Sequence, residues 1–430
     1  ALFQAGLAAV DAGEALRRHV HFEGGVLRAG GNAYSLGGGS TFVVGGGKAA
    51  APMAAALEGL LGDRVSRGLV VVKDRHTVPT RKIEVREAGH PVPDARGEAA
   101  AREVLAIAQS AGSDDLLIVL LSGGASALLA LPAGGVTLEE KRAVTNHLLR
   151  AGAPIQDLNS VRKHLSAIKG GRLAQAAAPA RVLALILSDV VGDPLDVIAS
   201  GPTAADPSTY DEALSLLSRY DPEGRLPRGP RAYLEAGAAG RHPETPKPGD
   251  RDLDGVQNFI VGSNRDALEA VEAAARVRGY EAWIRNGALE GEARDTAAVL
   301  AREVRDVSQG RPSGAEPLGF ILGGETTVTV RGNGRGGRNT EFALAFALGI
   351  EGLPGAVGLF AGTDGTDGAT DAAGAIVTGE TAARARRLGV DPRAFLDEND
   401  SYSFFERAGG LLVTGPTMTN VMDLAIILLG

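Results

Sequence analysis

The chain of 430 residues contains no cysteine. That one absence excludes disulfides, thiolate nucleophiles and cysteine-ligated zinc. Zinc held by histidine is no better served, because the seven histidines show no His-Glu-x-x-His or comparable spacing. His90, in GHPVPD, reads as structural. No apolar run of about 18 residues free of breakers occurs, so no membrane-spanning helix is expected. The first stretch, ALFQAGLAAVDAGEALRRHV, reads as an amphipathic helix without a signal-peptide cleavage pattern, and the cytoplasm is the simple expectation. Positive charge is in deficit. The 44 Lys and Arg against 52 Asp and Glu leave a net charge of −8, which argues against nucleic acid as a partner.

Glycine, by contrast, is plentiful, with 60 residues. These sit at the ends of apolar runs rather than in low-complexity repeats, the habit of an α/β protein with many strand-to-helix turns. The runs TFVVG (41–45), GLVVVK (68–73), DLLIVLLSGG (115–124) and RVLALILSDVV (181–191) are nearly continuous Val, Ile and Leu. That is the pattern of parallel strands covered on both faces. A second series follows: NFIVGS (258–263), YEAWIRN (280–286), LGFILGGE (318–325), AVGLFAG (356–362) and GGLLVTG (409–415). The Pro-, Gly- and charge-rich segment 225–255 separates the two series, so two domains are expected, 1–240 and 255–430. In open α/β sheets ligands gather at the carboxyl ends of strands. Every chemically rich segment here begins where a strand run stops.

At GGGKAA, Gly45, Gly47 and Ala50 match the dinucleotide fingerprint G-x-G-x-x-[GA], and Asp74 ends the next strand where a ribose-binding acid could sit. Lys48, however, stands inside the loop, and Ala49 replaces the Ser/Thr of a Walker motif. With Gly46, the loop reads as a tight turn or as an anion-binding loop with Lys48 as a ligand. LSGGASALL places Ser122, Gly123, Gly124 and Ser126 between strand and helix; Leu128 stands where a nucleophile elbow needs glycine, so a phosphate-binding nest is favoured over a nucleophile, with plain close packing as the alternative. NSVRKHLSAIKGGRLA clusters Arg162, Lys163, His164, Lys169 and Arg172, and on one helix 162, 169 and 172 would share a face. In an acidic protein, such a run of cations implies a local anion or a solvated helix face.

LSDVVGDPLD ends a strand with Asp189, placed to hold Mg²⁺ or accept a proton. GTDGTDGATD carries Asp364, Asp367 and Asp371 without the EF-hand spacing. These are turn aspartates or the seat of a hard cation shared with phosphate oxygens. Glu325 follows another strand in LGGETTV. GNGRGGRNTE then sets Gly336, Gly337 and Arg338 at the mouth of an apolar helix, where bare N–H groups attract anions. Anion-binding turns, cations and acidic turns together suit phosphoryl transfer, whose catalysis is mainly positioning and charge neutralisation.

GGGKAA, LLSGGASALL, VRKHLSAIKGGRLA, LSDVVGD with ASGPT, GSN (262–264), GGETTV, GNGRGGRNTEFAL and GTDGTDGATDAAGA occur in this order along nearly the whole chain. In this the sequence resembles the class II glycerate kinases with a C-terminal MOFRL domain. The resemblance implies an N-terminal Rossmann-like α/β domain, a C-terminal α/β domain of MOFRL type and an active site in the cleft between them. It implies ATP- and Mg²⁺-dependent phosphorylation of D-glycerate to 2-phosphoglycerate. Lys48 and Arg338 become the principal catalytic candidates, on opposite domains, with Asp189 as base or metal ligand. Asp364, Asp367 and Glu325 would serve the metal, while Gly45–Gly47, Ser122–Gly124, Ser126, Asn264, Gly336 and Gly337 would line the nucleotide. A homodimer is possible. Members are often labelled hydroxypyruvate reductases, so an NAD(P)-dependent reductase and a non-catalytic sugar-acid or nucleotide sensor are the rival expectations. The clustered aspartates argue against both.

Overall fold

Side chains with no polar side to show pack on both faces, and the unbroken Val/Ile/Leu runs do become buried strands. The structure, a computed structural model, describes residues 1–312 and 314–430. It divides into two units, Ala12–Ser188 with Asp193–Val261, and Gly262–Gly430 with Ala1–Asp11 and Asp189–Gly192.

In the first unit, β1 (Val20–Glu23), β2 (Val26–Ala29) and β3 (Asn32–Ser35) make a small antiparallel sheet. The main sheet comprises β4 (Thr41–Gly46), β5 (Val65–Lys73), β6 (Ile83–Ala88), β7 (Leu116–Leu121), β8 (Arg181–Leu187) and β9 (Val256–Gly262), in the order 6-5-4-7-8-9. β4 runs parallel to both β5 and β7, β5 to β6, and β7 to β8. Counted from β4, this is the 3-2-1-4-5-6 order of a doubly wound sheet. The winding reverses between β4 and β7. The segments leaving these two strands carry Lys48, in a turn, and Ser126, in the short helix Ala125–Leu128. The expected Rossmann-like architecture is present.

The boundary differs from expectation. NFIVG, placed by its neighbours in the second domain, forms β9 at the edge of the first sheet, so the division falls at 261–262. An apolar run joins whichever sheet edge satisfies its backbone, and the composition of the preceding loop does not report that choice. Residues 1–11 also go with the second unit. Gly6 lies so close to Val271 and Leu424 that a Cβ there would meet them at 2.9 and 3.0 Å.

The second unit holds β10 (Glu281–Leu289), β11 (Leu318–Gly324), β12 (Ala356–Gly362), β13 (Gly374–Thr378), β14 (Leu411–Leu412) and β15 (Asp423–Leu429), ordered 10-11-15-12-13-14. β10 and β11 are parallel and the remaining pairs antiparallel. The helix Arg338–Gly349 covers the sheet, burying Phe342 and Phe346 against Phe360 with ring centroids 4.8 and 5.0 Å apart. Register sets Gly324 of β11 and Gly362 of β12 on either side of Asp423 in β15. No helix among the described residues is long and apolar enough to cross a membrane.

Candidate active site

Lys48 sits in the turn between β4 and the helix Ala50–Leu61, half-buried, its backbone N–H donating to the Gly123 carbonyl at 2.8 Å. The glycines around it answer to packing. A Cβ on Gly45 would lie 2.0 Å from the Leu120 carbonyl oxygen, and one on Gly47 2.1 Å from Ser122 Oγ; both residues have positive φ. On Gly46 it would meet Leu129 at 2.9 Å. Ser122 is fully buried and its hydroxyl accepts from the Ala49 N–H at 3.0 Å. Gly45, Gly46, Gly47, Ser122 and buried Gly123 therefore latch two turns together. This packing role accounts for the dinucleotide fingerprint. Asp74, the candidate ribose acid, forms a forked ion pair with Arg96 at 2.7 and 3.1 Å. Gly124 (φ +86) and Ser126 remain partly exposed, with the His90 ring 3.0 Å from where a Gly124 Cβ would stand.

The basic segment is not one helix. Helix Ile155–His164 ends, Gly170 and Gly171 turn through positive φ, and a second helix runs Arg172–Ala177. The break points Arg162 and Lys169 at one acceptor. Ser126 Oγ accepts from Arg162 and, at 2.9 Å, from Lys169, whose Nζ also reaches the Ser126 carbonyl at 2.8 Å. With both lone pairs used, Ser126 donates its own proton to Ser200 Oγ at 2.9 Å, and Ser200 donates to Asn159 at 3.2 Å. Arg172 turns away to the Tyr210 hydroxyl at 2.7 Å. Lys163 belongs to Asp196 and Asp206, at 3.1 and 3.3 Å.

In the second unit, GNGRGG is threaded against its own chain. A Cβ on Gly336 would meet Ser401 Oγ at 2.3 Å, and one on Gly337 would meet Asp367 Oδ1 at 2.4 Å. The anion expected at this helix mouth is supplied from within. Asp367 accepts from the N–H groups of Asn339 (2.9 Å) and Thr340 (2.8 Å) and from the Thr340 hydroxyl (2.7 Å). Burial nonetheless raises its pKa, partly offset by those bonds. Gly336 and Gly337 thus make room for a cap, which Asp367 supplies.

Arg338, the first residue of that helix, forks onto Asp423 with Nε to Oδ2 at 2.5 Å and Nη2 to Oδ1 at 2.9 Å, while Nη1 reaches Glu325 at 2.5 Å. Burial opposes its charge, but the two carboxylates outweigh that and hold the guanidinium firmly protonated. Three of its five N–H groups are engaged in these bonds, and the side chain is 32% exposed, enough for the others to meet an oxyanion. Asp364 Oδ1 accepts from the Thr366 N–H and hydroxyl at 2.9 and 3.0 Å. Asp364 and Asp423 both crowd Gly362, where a Cβ would lie 3.3 and 3.4 Å from their oxygens. Asp189 Oδ2 accepts from Asn420 at 3.0 Å. Asn264 is buried, donating to the carbonyls of Val421 (2.7 Å) and Asp423 (3.1 Å), so it ties β15 in place. Among the described residues no three His, Asp or Glu side chains are arranged to hold a metal. A joint site of Asp364, Asp367 and Glu325 is therefore not assembled, because Asp367 caps a helix and Glu325 pairs with Arg338. Asp364 stays a candidate for a Mg²⁺ that brings most of its oxygens with the phosphates.

Comparison with known proteins bears on this arrangement. A family model described as a domain of unknown function, DUF4147, matches residues 1–235, and the MOFRL family matches 318–423. The chain is 44% identical to D-glycerate 2-kinase of Thermotoga maritima, over 88% of each chain. The chain belongs to the glycerate 2-kinase family. The crystal structure of a Thermotoga maritima glycerate kinase superposes with a TM-score of 0.85 at 40% identity, covering 100% of this chain and 98% of that one. An Agrobacterium vitis relative, 47% identical over 91% of this chain and 88% of its own length, carries the provisional name hydroxypyruvate reductase.

For this glycerate 2-kinase family member, sequence reasoning passes over Asp423, the main partner of Arg338. Its signal was a lone acid heading an otherwise apolar strand, DLAIILL. The capping role of Asp367 has a measurable consequence. Asp367→Asn should lower stability by about 1–2 kcal/mol, the cost of weakening a buried cap. The Mg²⁺ concentration giving half-maximal turnover should stay unchanged; a large rise would return Asp367 to the metal.

Proposed function

We propose that this chain transfers the γ-phosphoryl group of ATP to the 2-hydroxyl of D-glycerate, giving 2-phosphoglycerate and ADP. The observation that carries this reading is the 44% identity to a D-glycerate 2-kinase over 88% of both chains. The residues in each unit suit it. The glycerate hydroxyl attacks phosphorus, the bond to the ADP oxygen breaks, and the hydroxyl proton must leave to a carboxylate. Asp189, just past an apolar strand and oriented by Asn420, is the candidate acceptor. Lys48 supplies positive charge to the transferring group from the switch point of the doubly wound sheet. Arg338, fixed by Asp423 and Glu325, offers its remaining N–H groups to the glycerate carboxylate or to phosphate. Asp364 would help hold Mg²⁺, which when bound neutralises phosphate charge. None of these steps needs a hydride carrier, and the glycines that suggested one are accounted for by close packing.

The test is direct detection of ADP with D-glycerate, ATP and Mg²⁺, beside a second cuvette with hydroxypyruvate and NAD(P)H. ADP should appear only with D-glycerate present. Oxidation of NAD(P)H without ATP would overturn the reading in favour of a reductase.

A further inference from the structure

In the first unit two buried lysines and the half-buried Arg162 lack a carboxylate partner. Lys141 is 6% exposed and donates to the carbonyls of Leu165 (2.8 Å) and Arg162 (3.3 Å). Lys169, 1% exposed, and Arg162 share the neutral hydroxyl of Ser126. None of the three forms an ion pair with Asp or Glu among the described residues, whereas neighbouring Lys163 has two. Burial pushes both lysines well below their ordinary pKa and Arg162 down to about 10, and mutual repulsion adds to the effect on the lysines. A buried charge is retained at such cost when something pairs with it. The backbone beside them is also held in a rare state: Ala199, Ser200 and Gly201 are three consecutive residues in the left-handed region, and Ser200 is bonded to Ser126. Such conformations cluster at ligand sites.

Arg162, Lys141 and Ser126 line a cavity of about 470 Å³, within the usual range for small-molecule sites. Its walls come from the Pro91–Pro93 loop and from two helices carrying Leu149 and Ile155. Val92, Leu149 and Ile155 are 50%, 56% and 49% exposed, three large apolar side chains facing solvent around one mouth. A wide apolar entrance above cations that lack an anion fits a molecule with an apolar end and a multiply charged end. D-Glycerate is three carbons, polar throughout and far smaller than the cavity.

We propose that this cavity is the nucleotide subsite, with the base between Val92, Leu149 and Ile155 and the triphosphate running toward Arg162, Ser126 and Lys169. The assignment rests on the kinase reading and adds to it the residues that take the donor. Calorimetric titration of the full chain with ATP, adenosine and D-glycerate tests it without turnover. Val92→Glu, on an exposed position, should weaken ATP and adenosine about tenfold and leave D-glycerate unchanged. Arg162→Gln should weaken ATP about tenfold and leave adenosine unchanged, since only the phosphates meet the guanidinium. Unchanged ATP binding in Val92→Glu, or a loss confined to D-glycerate, would overturn the assignment. ATP binding to the parent with no ADP release would instead sink the kinase reading and leave the subsite standing.

Discussion

Lys48→Met is expected to lower kcat by at least about a hundredfold with the melting temperature unchanged. The magnitude follows from removing one preorganised charge from the developing transition state, an effect of about 3–4 kcal/mol where such groups have been deleted. Folding should be spared because the turn is held by its backbone. The Lys48 N–H bonds Gly123, the Ala49 N–H bonds Ser122, and Gly47 packs on Ser122, none of which uses the lysine ammonium. Methionine keeps the length and apolar stem. Kinetics under saturating D-glycerate and ATP, with thermal unfolding of the same samples, make the check. Near-normal turnover would remove Lys48 from the mechanism, and a fall in melting temperature would recast it as structural.

Arg338→Ala should be the more damaging change, lowering kcat/KM about a thousandfold and also destabilising the second unit. The side chain answers two carboxylates at once. Removing it leaves Asp423, only 10% exposed, without its counter-charge and beside Glu325. Breaking a fully buried pair costs about 3–5 kcal/mol; partial exposure here brings the expectation to about 2–3 kcal/mol. Arg338→Lys separates the two effects. A lysine restores charge and much of the stability, but its ammonium cannot fork onto Asp423 and still present further donors. Its kcat/KM should therefore stay near that of the alanine variant. Recovery of activity together with stability would make Arg338 a purely structural residue.

The core of the doubly wound sheet was legible because its signal is local: β4, β5, β7 and β8 hold nearly unbroken apolar runs, and β4 and β7 run into glycine turns. Lys48 and Arg338 were legible for the same reason, as cations inside such turns. Long-range pairings were not. That Asp367 caps the helix starting 29 residues earlier, or that Asp423 crosses 85 positions to Arg338, follows from sheet register, and no spacing in the chain encodes it. The glycines at 45–47 and 332–337 advertised close approach, correctly, but the partner is the chain itself. The cation cluster was visible as composition, while its convergence on Ser126 depends on the helix ending at His164, which leaves Lys169 in the connecting segment and splits one expected helix into two.

Phosphorus NMR of the product formed from D-glycerate, ATP and Mg²⁺ probes phosphorylation at the 2-hydroxyl most directly. With proton coupling retained, a phosphate on the 2-oxygen sees one methine proton and should give a doublet. A triplet, from the methylene of the 3-oxygen ester, or ATP left intact with D-glycerate present, would contradict it.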